Sequence, residues 1–390
     1  MPGVDDARRG PIFIVGAMGS GTTLVRLVLD SHPHIAIPHE TGFMRAYDAH
    51  RFAPFKHSGR GWARKLAGSE EELDAMLRDF YDSLFMRYAE RHGKRRWGEK
   101  TPLHMWHVDD MARLFPDAQF IGVVRHPAGS IASNMRRFGA KLRRATWHWR
   151  AYARELARHS MRHDDRFVLV RYEDLVREPE PVLRELLEWL GEPWSDAVLA
   201  HHQVQGARGG KPVVEGRSRV DDPVDPSRID RWTRDLRGDH HEWLAQRVTR
   251  MAQFYGYDVD DAGVADALTP PERRLIHGAD VRQRLERFPE IDLSVPHERP
   301  PASRLYDPRK LTVVPREFLD ELTAPRGVRR WGAAAVRRLP GGVRPAAVRT
   351  VRRTRKVLGL RRRPLPFFTA VRRERRRERR RARRAAGGGT

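Results

Sequence analysis

The sequence predicts an α/β fold in three layers, a central parallel sheet flanked by helices, and three observations carry that prediction. The first is residues 11–31, where four apolar residues (Ile12–Val15) run into a glycine-rich stretch (Gly16–Gly21) and then into helical spacing from Thr22. A short apolar run of this kind is what a parallel strand covered on both faces requires. The second is repetition: Phe120–Val124 and Phe167–Val170 are further buried runs, each followed by helical periodicity. The third is chemical. The runs end on Gly16, Arg125 and Arg171, so polar residues collect on the carboxyl edge of the sheet, where open α/β sheets take their ligands.

Taken in order, Ile12–Val15 is the first strand, and Thr22–Leu29 is a helix with its apolar side at Leu24, Leu27 and Val28. Ile35–Thr41 is a short strand leading into a loop. Leu73, Met76, Leu77, Phe80, Leu84 and Phe85 recur at helical spacing within a helix over 69–92. After Trp97-Gly-Glu-Lys-Thr-Pro102 a helix runs over 103–115, and Pro127 suits the first position of a helix reaching Phe138. Arg171-Tyr-Glu-Asp-Leu175 closes the third strand, with Glu173 and Asp174 placed to cap the next helix. The helix 182–190 stops at Gly191, a natural C-terminal cap. A last amphipathic helix spans about 240–255. Beyond Tyr257 the pattern loosens into proline-broken segments with a short helix over 279–288.

Gly16, Ala17, Met18, Gly19, Ser20, Gly21, Thr22 and Thr23 form a P-loop-like turn at a helix N-terminus, where converging N–H groups and the helix dipole favour an anion. The Gly16-x4-Gly21 spacing is that of a nucleoside-triphosphate loop, but Thr22 stands where that motif needs lysine. ATP and GTP are therefore poor candidates. A second anion site is predicted at Arg125, with Ser133 and Arg137 four residues apart on one face of the helix beyond it. Two anion sites on one sheet edge suit a nucleotide phosphorylated at both 5′ and 3′ positions.

Composition bounds the rest. Cysteine is absent from the 390 residues, which removes disulfides, thiolate metal sites and cysteine nucleophiles. The formal charge of +24 is concentrated: 24 of the 75 Lys+Arg and 2 of the 51 Asp+Glu fall in 326–390, leaving 51 basic and 49 acidic residues elsewhere. The expected organisation is a folded domain over 1–257, an irregular extension over 258–325 and a disordered basic tail over 326–390. Blocks such as Arg361–Arg363, interrupted by Leu365, Phe367 and Phe368, suit an anionic membrane surface. No specific nucleic acid is expected, since such binding would be sequence-independent. The first residues suit neither a signal peptide nor a membrane span, which gives the expectation of a cytoplasmic protein, peripheral at the inner membrane face.

With these residues in place, the chain resembles bacterial sulfotransferases that use 3′-phosphoadenylyl sulfate (PAPS), of the broad family related to tyrosyl-protein and heparan sulfotransferases. The resemblance covers about 11–257. It rests on ordered landmarks: Gly16–Thr23, Glu40, Trp97-Gly-Glu-Lys-Thr-Pro102, Arg125 with Ser133, and Arg171-Tyr-Glu-Asp-Leu175. It implies that the loop cradles the 5′-phosphosulfate, that Arg125 and Ser133 hold the 3′-phosphate with Arg137 in support, and that Tyr172 lies near the nucleotide. A later loop that closes over PAPS corresponds to 217–231 before Trp232, with Ser218 and Arg231 as its contacts. The family's usual basic residue before Ser-Gly-Thr is replaced by Gly19. The resemblance makes Lys100 its first substitute, with Arg26 or the closing loop as alternatives.

The reaction so implied is in-line transfer of a sulfuryl group to an acceptor hydroxyl of a carbohydrate, lipid or other small molecule. Glu40 is the expected base, with His39, His104 and His107 in reserve, and Glu99 is expected to pair with a nearby arginine. No metal is expected, because no metal-ligand spacing is visible among the 18 histidines. Two rival functions are a magnesium-dependent kinase and a non-catalytic nucleotide- or polyanion-binding protein. The kinase would need the missing loop lysine and an acidic strand end, where Arg125 stands instead. Residues 42–96 and 138–165, which include Phe43, Tyr47, Phe52, Phe55, Trp62, Trp147 and Trp149, are expected to divide between the acceptor pocket and the core.

Overall fold

In the computed structural model, which describes residues 9–52, 62–207, 223–259 and 272–294, five strands form one sheet. They are β1 (Ile12–Gly16), β2 (Ile35–Ala36), β3 (Arg96–Lys100), β4 (Gln119–Val124) and β5 (Phe167–Arg171). Their order is β2-β3-β1-β4-β5, and every pairing is parallel. The register sets Ile14 beside Lys100, Gly16 beside Val123, and Val124 beside Arg171. The carboxyl ends of the strands thus share one edge, as the sequence predicts.

Alternation along the strands explains why both faces are covered. Ile12 and Ile14 of β1, Ile121 and Val123 of β4, and Val168 and Val170 of β5 enter one buried cluster. They meet the helices Thr22–Ser31 and Pro179–Leu190 there, through residues such as Val25, Val28, Leu183 and Leu187. Phe13, Val15, Phe120, Val124, Phe167 and Leu169 face the other way. That side is packed by the helices Glu70–Arg91, Pro127–Phe138, Leu142–Arg162 and Gly238–Phe254.

Three elements differ from the sequence reading. β3 carries only one large apolar residue, Trp97, stacked on Phe85 at 4.5 Å between ring centroids; its Glu99 and Lys100 are buried polar groups, which no hydropathy pattern marks as a strand. The helix expected over 103–115 is a 3₁₀ segment, Pro102–His107, followed by an α-helix, Val108–Leu114. Leu142–Arg162 is a single long helix with Trp149, Tyr152 and Leu156 in the core. Past Tyr257, Ile276 pairs with Leu169 of β5 through two backbone hydrogen bonds, of 2.9 and 3.0 Å, and the helix Gly278–Arg287 buries Val281 in the same core. The tail over 326–390 lies outside the described residues.

Candidate active site

The glycine loop is shaped by what it is packed against. Ser20 N–H donates to the Ala17 carbonyl at 3.0 Å, and Leu24 and Val25 return to the Gly21 carbonyl to start the helix. Ser130 Oγ donates to the Met18 carbonyl at 3.3 Å, which ties the loop to the helix after β4. Gly19 has φ +89°, and a Cβ there would lie 2.6 Å from the Ser130 carbonyl oxygen and 3.1 Å from Ser133 Cβ. Gly21 has φ +102°, and a Cβ there would lie 2.4 Å from the Tyr172 ring. Both positions exclude side chains by conformation and by space. A basic side chain at Gly19 has nowhere to start from in this packing. Ser20 Oγ is buried with no protein partner, as suits a hydroxyl facing an anion seat.

Arg125, directly after β4, reaches the glycine loop. Its Nη1 donates to the Gly19 carbonyl and its Nη2 to the Arg228 carbonyl, both at 3.1 Å, and its guanidinium lies 4.1 Å from the centre of the Tyr172 ring. Its Nε is buried without a partner. The backbone that carries Arg125 is held from behind. Trp149 Nε1 donates to the Arg125 carbonyl at 3.0 Å, and the next amide, His126 N–H, donates to Glu173 Oε1 at 3.1 Å. Tyr257 Oη donates to the other Glu173 oxygen at 2.8 Å. Glu173 therefore anchors the strand end and does not cap the following helix. Asp174 pairs with Arg171 at 2.7 Å.

On the other side of β1, Lys100 is wholly buried at the end of β3. Its Nζ donates to Glu40 Oε1 and, at 3.3 Å, to Thr23 Oγ1. Glu40 has 44% of its side chain exposed, so one end of this pair is sealed and the other opens outward. An isolated buried ammonium is expensive, which makes Glu40 and Lys100 one electrostatic unit bridging the glycine loop and the open side. Glu99 is paired with His104, not with an arginine: Glu99 Oε2 lies 2.8 Å from His104 Nδ1. Burial would raise its carboxyl pKa, but the close approach of His104 and the hydrogen bonds from Thr101 and Thr41 outweigh this and hold it below the usual range.

Residues 11–196 of this framework match the family model described as the sulfotransferase family. The protein-tyrosine sulfotransferase A of Caenorhabditis elegans is 30% identical over 259 residues, 63% of this chain and 67% of that protein. The chain belongs to the sulfotransferase family. Protein-tyrosine sulfotransferase 1 of Danio rerio is 29% identical over 259 residues, 63% of this chain and 72% of the fish protein. Among solved structures, the sulfotransferase domain of the Synechococcus PCC 7002 olefin synthase has a TM-score of 0.46 and 23% identity, over 66% of this chain and 99% of that domain. This sulfotransferase is accordingly an enzyme of sulfuryl transfer, which sets aside the kinase and the non-catalytic alternatives.

The structure assembles Gly16–Thr23, Arg125, Ser133 and Tyr172 around the loop, and Glu40 with Lys100 beside it. Arg137 stands one turn past Ser133, with its guanidinium 5.4 Å from the centre of the Phe138 ring. Arg231 is exposed and precedes Trp232, whose ring stacks on His126 at 5.3 Å. Ser218 lies outside the described residues. Arg26, the alternative cation, is buried and donates to the Ile37 carbonyl at 3.2 Å. His107 is 3.0 Å from Asp48. Of the aromatic residues, Phe43, Tyr47 and Trp149 are core while Trp147 is exposed.

Sequence reasoning did not single out Arg136, which the structure sets among charged neighbours. It pairs with Asp235, and after burial the charges of Arg231 and Arg125 push its guanidinium pKa down, which sets three arginines within electrostatic reach of one another. The Arg136-Arg137 doublet was the available signal, but helical spacing from Ser133 favours the second arginine over the first. Among the described residues the fold also assembles two groups with three potential metal-ligand atoms within 4.8 Å, His32-His34-Glu192 and Asp109-His159-His163; in each the two histidines are near neighbours in sequence and the carboxylate comes from a distant segment.

Proposed function

We propose that this sulfotransferase moves the sulfuryl group of PAPS to an acceptor hydroxyl, with Glu40 as base and Lys100 as the cation beside the reacting centre. The observation that carries this reading is the Lys100 ammonium, buried between Glu40 and Thr23 of the glycine loop. The residues present fit the donor. The buried and unpartnered Ser20 Oγ and the amides of the first helical turn suit its 5′-phosphosulfate. The partnerless Nε of Arg125 and the neighbouring Ser133 suit its 3′-phosphate, with the Tyr172 ring set against both Gly21 and Arg125. PAPS supplies the sulfuryl group and an acidic phosphate leaving group.

The chain's own residues supply the remainder. Glu40, held beside Lys100, accepts the acceptor's hydroxyl proton as the new S–O bond forms and the bond from sulfur to the leaving phosphate oxygen breaks. Lys100, within reach of Thr23, neutralises negative charge that gathers on the leaving side, the task Gly19 cannot perform. Arg125 and the arginines around it fix the donor so that transfer runs in line. The relatives named protein-tyrosine sulfotransferases make a peptide tyrosine the first acceptor to test. The experiment is incubation of the full chain with labelled PAPS and a tyrosine-bearing peptide, in parallel with carbohydrate and lipid extracts. Label recovered in one of these acceptors is the predicted result; label in none, with PAP still bound, would remove the assigned chemistry.

A further inference from the structure

Between the end of β2 at Ala36 and the helix that starts at Phe43, the chain that carries Glu40 has no ladder of its own. At both ends its backbone is held by buried side chains, most of them charged. At the near end, Asp30 Oδ1 accepts from Ile37 N–H at 2.9 Å and Arg26 Nη1 donates to the Ile37 carbonyl at 3.2 Å. At the far end, Glu99 Oε1 accepts from Thr41 N–H at 3.1 Å, from Thr41 Oγ1 at 2.9 Å and from Thr101 Oγ1 at 2.6 Å. Thr101 Oγ1 in turn accepts from Gly42 N–H at 3.2 Å. Glu99 is 1% exposed, and its second oxygen faces His104.

We propose that Glu99 is a positioning residue for the reaction, acting through Thr41 on Glu40; the proposal rests on the assignment of Glu40 as the base. Two consecutive residues of β3 grip two consecutive residues of the loop, Glu99 on Thr41 and Lys100 on Glu40. Neighbouring side chains of a strand leave on opposite faces, so the two grips approach the loop from different sides and fix the direction of Glu40 as well as its place. A buried carboxylate is costly to keep unless its lone pairs are filled, and a neutral side chain would pack this space more cheaply. The charge makes sense where the loop amide must be held firmly, because charge-assisted hydrogen bonds are shorter and stronger than neutral ones. A base displaced by about 1 Å can lose on the order of a hundredfold in rate.

Four variants test this: Glu99→Gln, Thr41→Val, Thr41→Ser and Glu40→Gln, with Thr41→Val also made in the Glu40→Gln background. Turnover is read from labelled PAPS to a tyrosine-bearing peptide, PAP affinity by calorimetry, and exchange of the Thr41 amide by NMR. Thr41→Val is expected to lose roughly tenfold in kcat with PAP affinity unchanged, the scale of one hydrogen bond to a charged group. Thr41→Ser restores the rate. In the Glu40→Gln background Thr41→Val costs nothing more, because the residue it positions is already gone. The Thr41 amide exchanges faster in Glu99→Gln, a readout that needs no acceptor. An unchanged amide in Glu99→Gln, or a Thr41→Val rate equal to wild type while Glu40→Gln collapses, overturns the positioning role and leaves the base in place. Undiminished costs of Thr41→Val in the Glu40→Gln background overturn it too, by showing a general structural effect. Full activity of Glu40→Gln instead removes the base assignment itself.

Discussion

Around Gly19 and Gly21 the backbone is fixed by neighbours that leave no room for a Cβ, whereas around Glu40 and Lys100 it is fixed by charged side chains reaching in from β3 and the first helix. The glycine side offers amides, a buried serine hydroxyl and an arginine over an aromatic ring, all suited to holding a polyanion still. The Glu40 side offers a carboxylate half open to the outside and an ammonium fully enclosed. Binding and turnover are thereby assigned to different residues, and substitutions on the two sides should separate them.

The largest separation is expected from Glu40→Gln. Calorimetry should return wild-type PAP affinity, while turnover of labelled PAPS falls by about a hundredfold or more, the usual scale of a general base. Near-full turnover would move the base to another group, with His39 first in order.

Next in size is a pH effect at the long helix Leu142–Arg162. His148 stacks on Tyr152 at 5.0 Å, and Tyr152 meets Trp106 of the segment after β3. Burial, helped by the Arg144 charge, pushes His148 down to about 4 from an ordinary 6.5. Between those two values the unfolded chain holds the extra proton, so stability is complete above pH 6.5 and is lost as pH falls toward 4. The loss amounts to about 3 kcal/mol for a shift of this size. Denaturant titrations of wild type and His148→Leu from pH 7 down to pH 4 should show a flatter pH dependence in the variant; parallel curves would contradict the buried neutral imidazole.

Gly19→Ala is expected to cost about 1–3 kcal/mol, from the left-handed backbone and the Ser130 carbonyl together. Thermal melts give the stability term, and PAP titration shows whether the loop still binds. A variant as stable as wild type would mean that the loop relaxes easily, and would reopen the question of why a basic residue is absent there.

Much of the glycine side was legible in the sequence because local patterns encode it: a buried run, Gly16-x4-Gly21, and a helix start occupy one stretch of chain. That Arg125 and Ser133 come to lie against this loop was legible for the same reason, a strand end followed by a helix. The Glu40 side depends on register between distant segments. Nothing within Trp97-Gly-Glu-Lys says that Glu99 meets Thr41 and His104, and arginine was a reasonable but incorrect partner for it. Glu173 misled in a similar way, since a carboxylate in the first turn of a helix looks like a cap until Tyr257 and His126 arrive from elsewhere. The approach of Arg231 to Arg136 was not legible either, because helical spacing from Ser133 carries no information on the segment before Trp232.

The proposed donor site rests most directly on Arg125, and calorimetric titration of PAP into wild type and Arg125→Ala tests it. Loss of a buried charge-assisted partner should weaken PAP at least tenfold, about 1.5–3 kcal/mol, with the thermal melt little changed. Equal affinity in the two proteins would contradict this assignment, because the 3′-phosphate would then lie away from the arginine on which the donor side is built.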